Sequence, residues 1–187
     1  MLLRKDVVEE FFFLAARTMA HCPEPLVLSP LLHSLLQCAA VGMKLDHRDA
    51  NSGILTFLEN TISYGLSLSP TTAAGAEKQA VRQALEQAVV AEGQPIVTNL
   101  AQALLGDLPA YRLDNERGSI AGLLFKLNEL CPQLLMQWIN PALIAAPQGP
   151  RDQFLNSLAS KVPRDELNST VRQFSNSCWR NRKLRQS

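Results

Sequence analysis

Charge is scarce in this chain. Asp, Glu, Lys and Arg make up only 19% of its 187 residues and the net charge is +1, where an average soluble domain carries roughly 25% charged residues. A protein that grips nucleic acid through its phosphates shows a basic excess, so no direct nucleic-acid binding is expected. Aromatic residues are few, at 6%. No segment sustains the alternation of apolar and polar residues that marks a strand, and turn-forming residues fall between helical stretches. No apolar run approaches the ~18 residues that span a bilayer. Asp6, Glu9 and Glu10 interrupt the opening segment, so it does not read as a secretion signal. The chain is read as soluble, without membrane contact.

Site motifs are missing as well. There is no G-x-S-x-G, H-E-x-x-H or Walker sequence, and His21, His33 and His47 lie too far apart in sequence to suggest a local metal cluster. His47-Arg48-Asp49 superficially resembles a kinase catalytic loop, but it lacks the Asn five residues on, a Gly-rich phosphate loop and an Asp-Phe-Gly. An enzyme is therefore not expected, and no catalytic, metal or cofactor residue is assigned. The four cysteines, Cys22, Cys38, Cys131 and Cys178, form no C-x-x-C pair. Each sits among apolar residues, so they are expected to be reduced core thiols of a cytosolic or nuclear protein.

What is abundant is apolar residues, at 47%, and they recur at helical spacing. Val7, Val8, Phe11, Phe12, Leu14, Ala15 and Met19 give a first helix from Asp6, its candidate N-cap, to about His21. Leu31, Leu32, Leu35, Leu36 and Ala39 give a second behind Ser29-Pro30, and the two are expected to pair as a hairpin. Ala50, Ile54, Phe57, Leu58, Ile62 and Gly65 share one face of a third, opposed by Ser52, Thr56, Glu59 and Ser63. Residues 66–76 are the most loop-like segment. A fourth helix through Val81 to Leu104 contains Gly93-Gln94-Pro95, where a kink or split is expected. A fifth runs from about Asp114 to Cys131, and a sixth from Pro132 to an interruption near Pro141. After a break at Pro147–Pro150, a last pair covers Asp152 to about Val162 and Glu166 to about Lys183.

The fold class is all-α. About four successive hairpins match the period of HEAT and armadillo-like repeats, so the expected architecture is HEAT-like helical hairpins stacked as an α-solenoid rather than closed around one axis. Phe13 lies off the stripe used by Phe11 and Leu14. It predicts a second apolar patch on the first helix that something else covers.

Two polar features invite a partner. Asp46 and Asp49 read as structural caps and dipole partners of the third helix, with Arg48 between them as a candidate contact. Arg180, Arg182, Lys183 and Arg185 form a basic tail over 180–187, with no acid after Glu166. Such a tail complements the negative end of the last helix and is a second candidate contact.

The stretch Leu45-Asp46-His47-Arg48-Asp49-Ala50-Asn51, followed by Ile54, Phe57 and Leu58, resembles the C-terminal region of the transportin-SR family. These are nuclear import receptors (karyopherins) of the importin-beta superfamily that carry serine/arginine-rich splicing factors. Phe12-Phe13-Leu14-Ala15-Ala16-Arg17, the Cys131-Pro132 junction followed by Trp138, and Cys178-Trp179 fall in the same order. The resemblance implies a HEAT-repeat fold and a receptor that shuttles between cytoplasm and nucleus with serine/arginine-rich cargo and Ran GTPase as partners. It also implies that the Ran site and the main cargo helix lie outside these residues, and that 1–187 is a C-terminal segment of a larger receptor. The alternative is an independent helical scaffold or adaptor that shares only the architecture.

Overall fold

The computed structural model describes residues 4–68, 75–108 and 119–186, with residues 76 and 183–186 described by their backbone alone. Among them the regular structure is helical throughout. The elements are α1 (Lys5–His21), α2 (Pro23–Leu28), α3 (Leu31–Gly42), α4 (Arg48–Ser67), α5 (Ala76–Leu105), α6 (Ile120–Leu130), α7 (Pro132–Ala142), α8 (Gln148–Ala159) and α9 (Arg164–Gln186). No helix among the described residues is long and apolar enough to cross a membrane.

Local chemistry sets the boundaries. Two Cys-Pro junctions end one helix and start the next with nearly the same backbone. Cys22 (φ −138°, ψ 58°) stands between α1 and α2, and Cys131 (φ −146°, ψ 65°) between α6 and α7. In each, the cysteine N–H closes the preceding helix at 2.8 Å, onto the Thr18 or Leu127 carbonyl. The proline excludes the helical conformation from the cysteine before it, and it opens the next helix where no N–H is needed. Ser119 caps α6, its Oγ accepting from the Gly122 N–H at 2.8 Å, so that helix starts at Ile120; the expected start at Asp114 lies outside the described residues.

Several sequence expectations change. The short α2 was not anticipated. α1 begins a residue before Asp6, with Arg4 at the N-cap position, and Asp6 pairs with Arg4 at 2.6 Å instead of capping. α5 is not split at Pro95, whereas α7 does end beside Pro141, at Ala142, as expected. α8 starts at Gln148, which places Pro150 in its first turn, where a proline lacks nothing the helix uses. Residues 69–74 of the expected 66–76 loop lie outside the described residues. The loop's first two positions, Leu66 and Ser67, belong instead to the last turn of α4.

The helices sort into two layers. α1 packs chiefly on α4, and α4 on α6; α3 packs on α5, and α5 on α7. Within a layer the neighbours run parallel. Glu9 and Lys5 of α1 lie by the start of α4, and Asn60 farther along α4 donates to the Ala16 carbonyl at 3.0 Å. Likewise Gln37 of α3 meets Glu92 of α5 at 2.9 Å, and Asn99 reaches the Ala40 carbonyl at 2.6 Å. The first two long helices meet lightly, Phe12 lying 3.8 Å from the Cβ position of Gly42; α2 touches both, and the larger burial is lateral. α9 pairs with α8 through the stacked rings of Phe154 and Phe174, 4.8 Å apart. It starts beside α6 and passes the end of α5, where Ser175 donates to the Leu104 carbonyl at 3.0 Å. The arrangement is consistent with a helical solenoid.

On α1 the core stripe is Val8, Phe12, Ala15, Ala16 and Met19, while Val7, Phe11 and Leu14 are 57%, 45% and 65% exposed. The expectation put all seven of Val7, Val8, Phe11, Phe12, Leu14, Ala15 and Met19 on one stripe with Phe13 as the outlier; Val8, Phe12, Ala15 and Met19 are buried as expected, and Val7, Phe11 and Leu14 are not. The reason lies on α4: a Cβ on Gly53 would stand 3.2 Å from Phe12 Cβ, so the missing side chain lets the two helices close at Phe12. α4 is also less one-sided than its pattern. Ser52 and Glu59, assigned to its polar face, are buried because α1 and α6 flank it on two sides.

Candidate functional site

The turn into α4 is built around His47. Its backbone is extended (φ −153°, ψ 117°) and its Nδ1 accepts from the Ala50 N–H at 3.2 Å, so the N-cap position falls on His47, between Asp46 and Asp49. Asp49 sits in the first turn, where a carboxylate complements the positive end of the helix. The Asp46 carbonyl accepts from Lys5 Nζ at 2.9 Å. Buried Asn51 donates to the Leu45 and His47 carbonyls, both at 2.8 Å, and fastens the turn from inside. Arg48 is exposed and makes no ion pair with a described residue.

The second candidate surface lies on α9. Exposed Arg180 borders a groove between α8 and α9, lined also by Gln153, Thr170, Gln173, Asn176 and Ser177. Arg182 is committed inside the chain. Its Nη1 donates to the Gly106 carbonyl at 2.6 Å and to Asp107 Oδ1 at 2.7 Å, closing over the left-handed Gly106 (φ +84°) that ends α5. The side chains of Lys183 and Arg185 lie outside the described residues, and the tail that carries them is the continuation of α9. The structure keeps Arg48 apart from the arginines of α9: α4 packs on α1, α6, α3 and α5, and α9 on α8, α6 and α5.

Among the described residues no group of three or more His, Cys, Asp and Glu side chains is placed to hold a metal ion. All four cysteines are free. Cys178 is buried, as expected, but Cys22, at the α1–α2 junction, and Cys38, on α3, are exposed and Cys131 is half-buried. Burial pushes the Cys131 and Cys178 thiols up to about 11, the opposite of what a nucleophilic cysteine needs. The Tyr64 hydroxyl is likewise raised to about 12, by burial first and by Glu24 second.

The described helices stack laterally and present Arg48 and Arg180 at separate exposed places. The chain is similar to a transportin. It is 28% identical over 191 residues to Transportin MOS14 of Arabidopsis thaliana, an alignment covering 98% of this chain and 19% of that protein. The chain thus spans about a fifth of the length of the curated relative it matches. No family profile matches the chain.

Sequence reasoning missed the polar bridge that holds α4 to α6. Glu59 Oε1 accepts from the Ser119 N–H at 2.9 Å and its Oε2 pairs with Lys126 at 3.1 Å, so a buried carboxylate on one helix serves the N-terminus of the next. Glu59 is an ordinary member of a polar stripe in the sequence. Only its contact with Ser119, sixty residues on, gives it this role.

Proposed function

We propose that this chain is the C-terminal, non-catalytic part of a nuclear transport receptor of the importin-beta superfamily, one that imports serine/arginine-rich splicing factors. The observation that carries the reading is the similarity to a transportin over 98% of the chain. Two features support the finer architecture of about four stacked HEAT-like hairpins: parallel neighbours within each layer, and the same Cys-Pro junction at α1–α2 and α6–α7. Stacked repeats expose long faces of side chains, and such faces suit protein cargo without covalent chemistry.

In this reading residues 1–187 stiffen the end of the receptor and offer accessory contacts at Arg48 and Arg180, with Lys183 and Arg185 beyond. Asp46 and Asp49 support the turn that presents Arg48, and Arg182 braces α9. Ran GTPase and the main cargo helix engage repeats outside this chain, and the whole receptor shuttles between cytoplasm and nucleus.

A chimaera tests this. Transportin MOS14 with its matching segment replaced by this chain is expected to import a fluorescent serine/arginine-rich protein into the nuclei of permeabilised cells, dependent on Ran. A chimaera that is folded and binds Ran but carries no such cargo would reverse the reading in favour of an independent scaffold.

A further inference from the structure

His47 holds the start of one helix and faces a second helix with the same nitrogen. Its Nδ1 accepts from the Ala50 N–H at 3.2 Å and stands 3.9 Å from Oε2 of Glu9 on α1. A nitrogen that accepts carries no proton, so in this state the ring is neutral and its hydrogen sits on Nε2. At that separation Glu9 is beyond hydrogen-bond length. The two side chains are 30% and 26% exposed. Water can therefore deliver a proton to the ring, while a charge pair between the two is only partly screened.

Protonation of Nδ1 removes the lone pair that Ala50 uses. The charged ring cannot cap α4, whereas a small rotation lets it donate to Glu9. Imidazoles take up a proton between about pH 8 and 5, so mild acid is enough for the exchange. The charged neighbours of the ring are Lys5 and Glu9 from α1 and, along its own stretch of chain, Lys44, Asp46, Arg48 and Asp49. Lys5 is engaged by the Asp46 carbonyl at 2.9 Å and Asp6 by Arg4 at 2.6 Å; Glu9 is the acid of α1 within ion-pair distance of the ring. The Glu9 carbonyl lies 3.5 Å from the Cβ position of Gly53, on the side of α1 turned to α4. The pair thus forms between two helices of this chain, whatever packs on the other side of α1.

We propose that His47 is a proton-operated clasp: neutral, it caps α4 through Ala50; protonated, it releases Ala50 and pairs with Glu9 of α1. Asn51 donates to the Leu45 and His47 carbonyls, both at 2.8 Å, so the backbone of the turn stays in place while the ring changes partner. Exposed Arg48 is the next residue, and the first turn that carries it is capped in one state and uncapped in the other. The inference does not rest on the transport reading.

Nitrogen NMR of the 187-residue chain at about pH 8 is expected to show the His47 hydrogen on Nε2, and as the pH falls to about 5.5 the Ala50 amide should shift with the same midpoint as the ring. Glu9→Gln takes away the charged second partner. Between those pH values this variant should lose about 2–4 °C more of melting temperature than the same variant carrying His47→Asn, which keeps a capping acceptor and does not titrate; that is the effect of one helix cap in a chain of this size. With Glu9 in place the corresponding loss should be smaller, because the ion pair replaces the cap. A neutral ring with its hydrogen on Nδ1, an Ala50 amide indifferent to the titration of the ring, or equal losses with and without Glu9 overturns the proposal.

Discussion

Trp138 of α7 lies where a side chain on Gly93 of α5 would stand. A Cβ built on Gly93 would be 2.5 Å from Trp138 Cζ3 and 2.6 Å from Cη2, so the α5–α7 contact depends on a glycine in the middle of a thirty-residue helix. The same pairing recurs at the end of α5, where Trp179 covers Gly106 at 2.9 Å from the position of its absent Cβ.

Gly93→Ala is therefore expected to destabilise the chain by about 1–2 kcal/mol. Overpacking against a buried ring costs about 1–3 kcal/mol, and the better helix propensity of alanine returns up to about 1. Gly149→Ala is the control, since nothing lies within 4 Å of its Cβ position. Urea denaturation should lower the midpoint for the first and leave or raise it for the second.

Removing the Glu59 carboxylate leaves the Ser119 N–H and Lys126 without their partner. Glu59→Ala should cost about 2–4 kcal/mol, as for other buried charged groups that lose one side of a pair. Glu59→Gln, which keeps an acceptor for Ser119, should cost less. Equal loss for both, read by thermal melting, would mean that the charge and not the cap dominates.

Lys161 ends α8 with a positive φ of 50°, a conformation that costs a side-chain-bearing residue about 1–2 kcal/mol. Its N–H is held by the Leu158 carbonyl at 3.2 Å, so the turn itself survives a change of residue. Lys161→Gly should raise stability by about 0.5–1 kcal/mol, the relief being partly offset by the freer unfolded chain. A fall in melting temperature would contradict this.

Thiol labelling should divide the cysteines. Cys22 and Cys38 are exposed and should react with maleimide in the native protein at pH 8. Cys131 and Cys178, with thiols raised to about 11, are only about one part in a thousand thiolate at that pH and should label on unfolding. In the unfolded chain these thiols ionise near their ordinary value of about 8.5. The native state then holds more protons above that pH, and stability falls as pH rises from about 9 to about 11. Mass spectrometry of the labelled chain and melts across that range check both points.

The helices were legible in the sequence because their causes are local. Apolar spacing placed α4 and the long body of α5, and the Ser29-Pro30 and Cys131-Pro132 steps marked where helices start, though Cys22-Pro23 did not reveal α2. Pro141 marked the end of α7 correctly, while Pro150 misled for a local reason: it sits in the first turn of α8, where a proline is tolerated. What the tertiary structure decided is which of several available faces is used. On α1 the stripes through Val7, Phe11 and Leu14 and through Val8, Phe12 and Ala15 are both complete helical stripes. Gly53, some forty residues on, selects the second by letting α4 approach at Phe12. Glu59, Gly93 and Arg182 acquired their roles in the same way, from Ser119, Trp138 and Gly106. Periodicity records which residues share a face of one helix. Lateral packing between helices far apart in the chain determines which face is buried, and a sequence stripe carries no record of its partner.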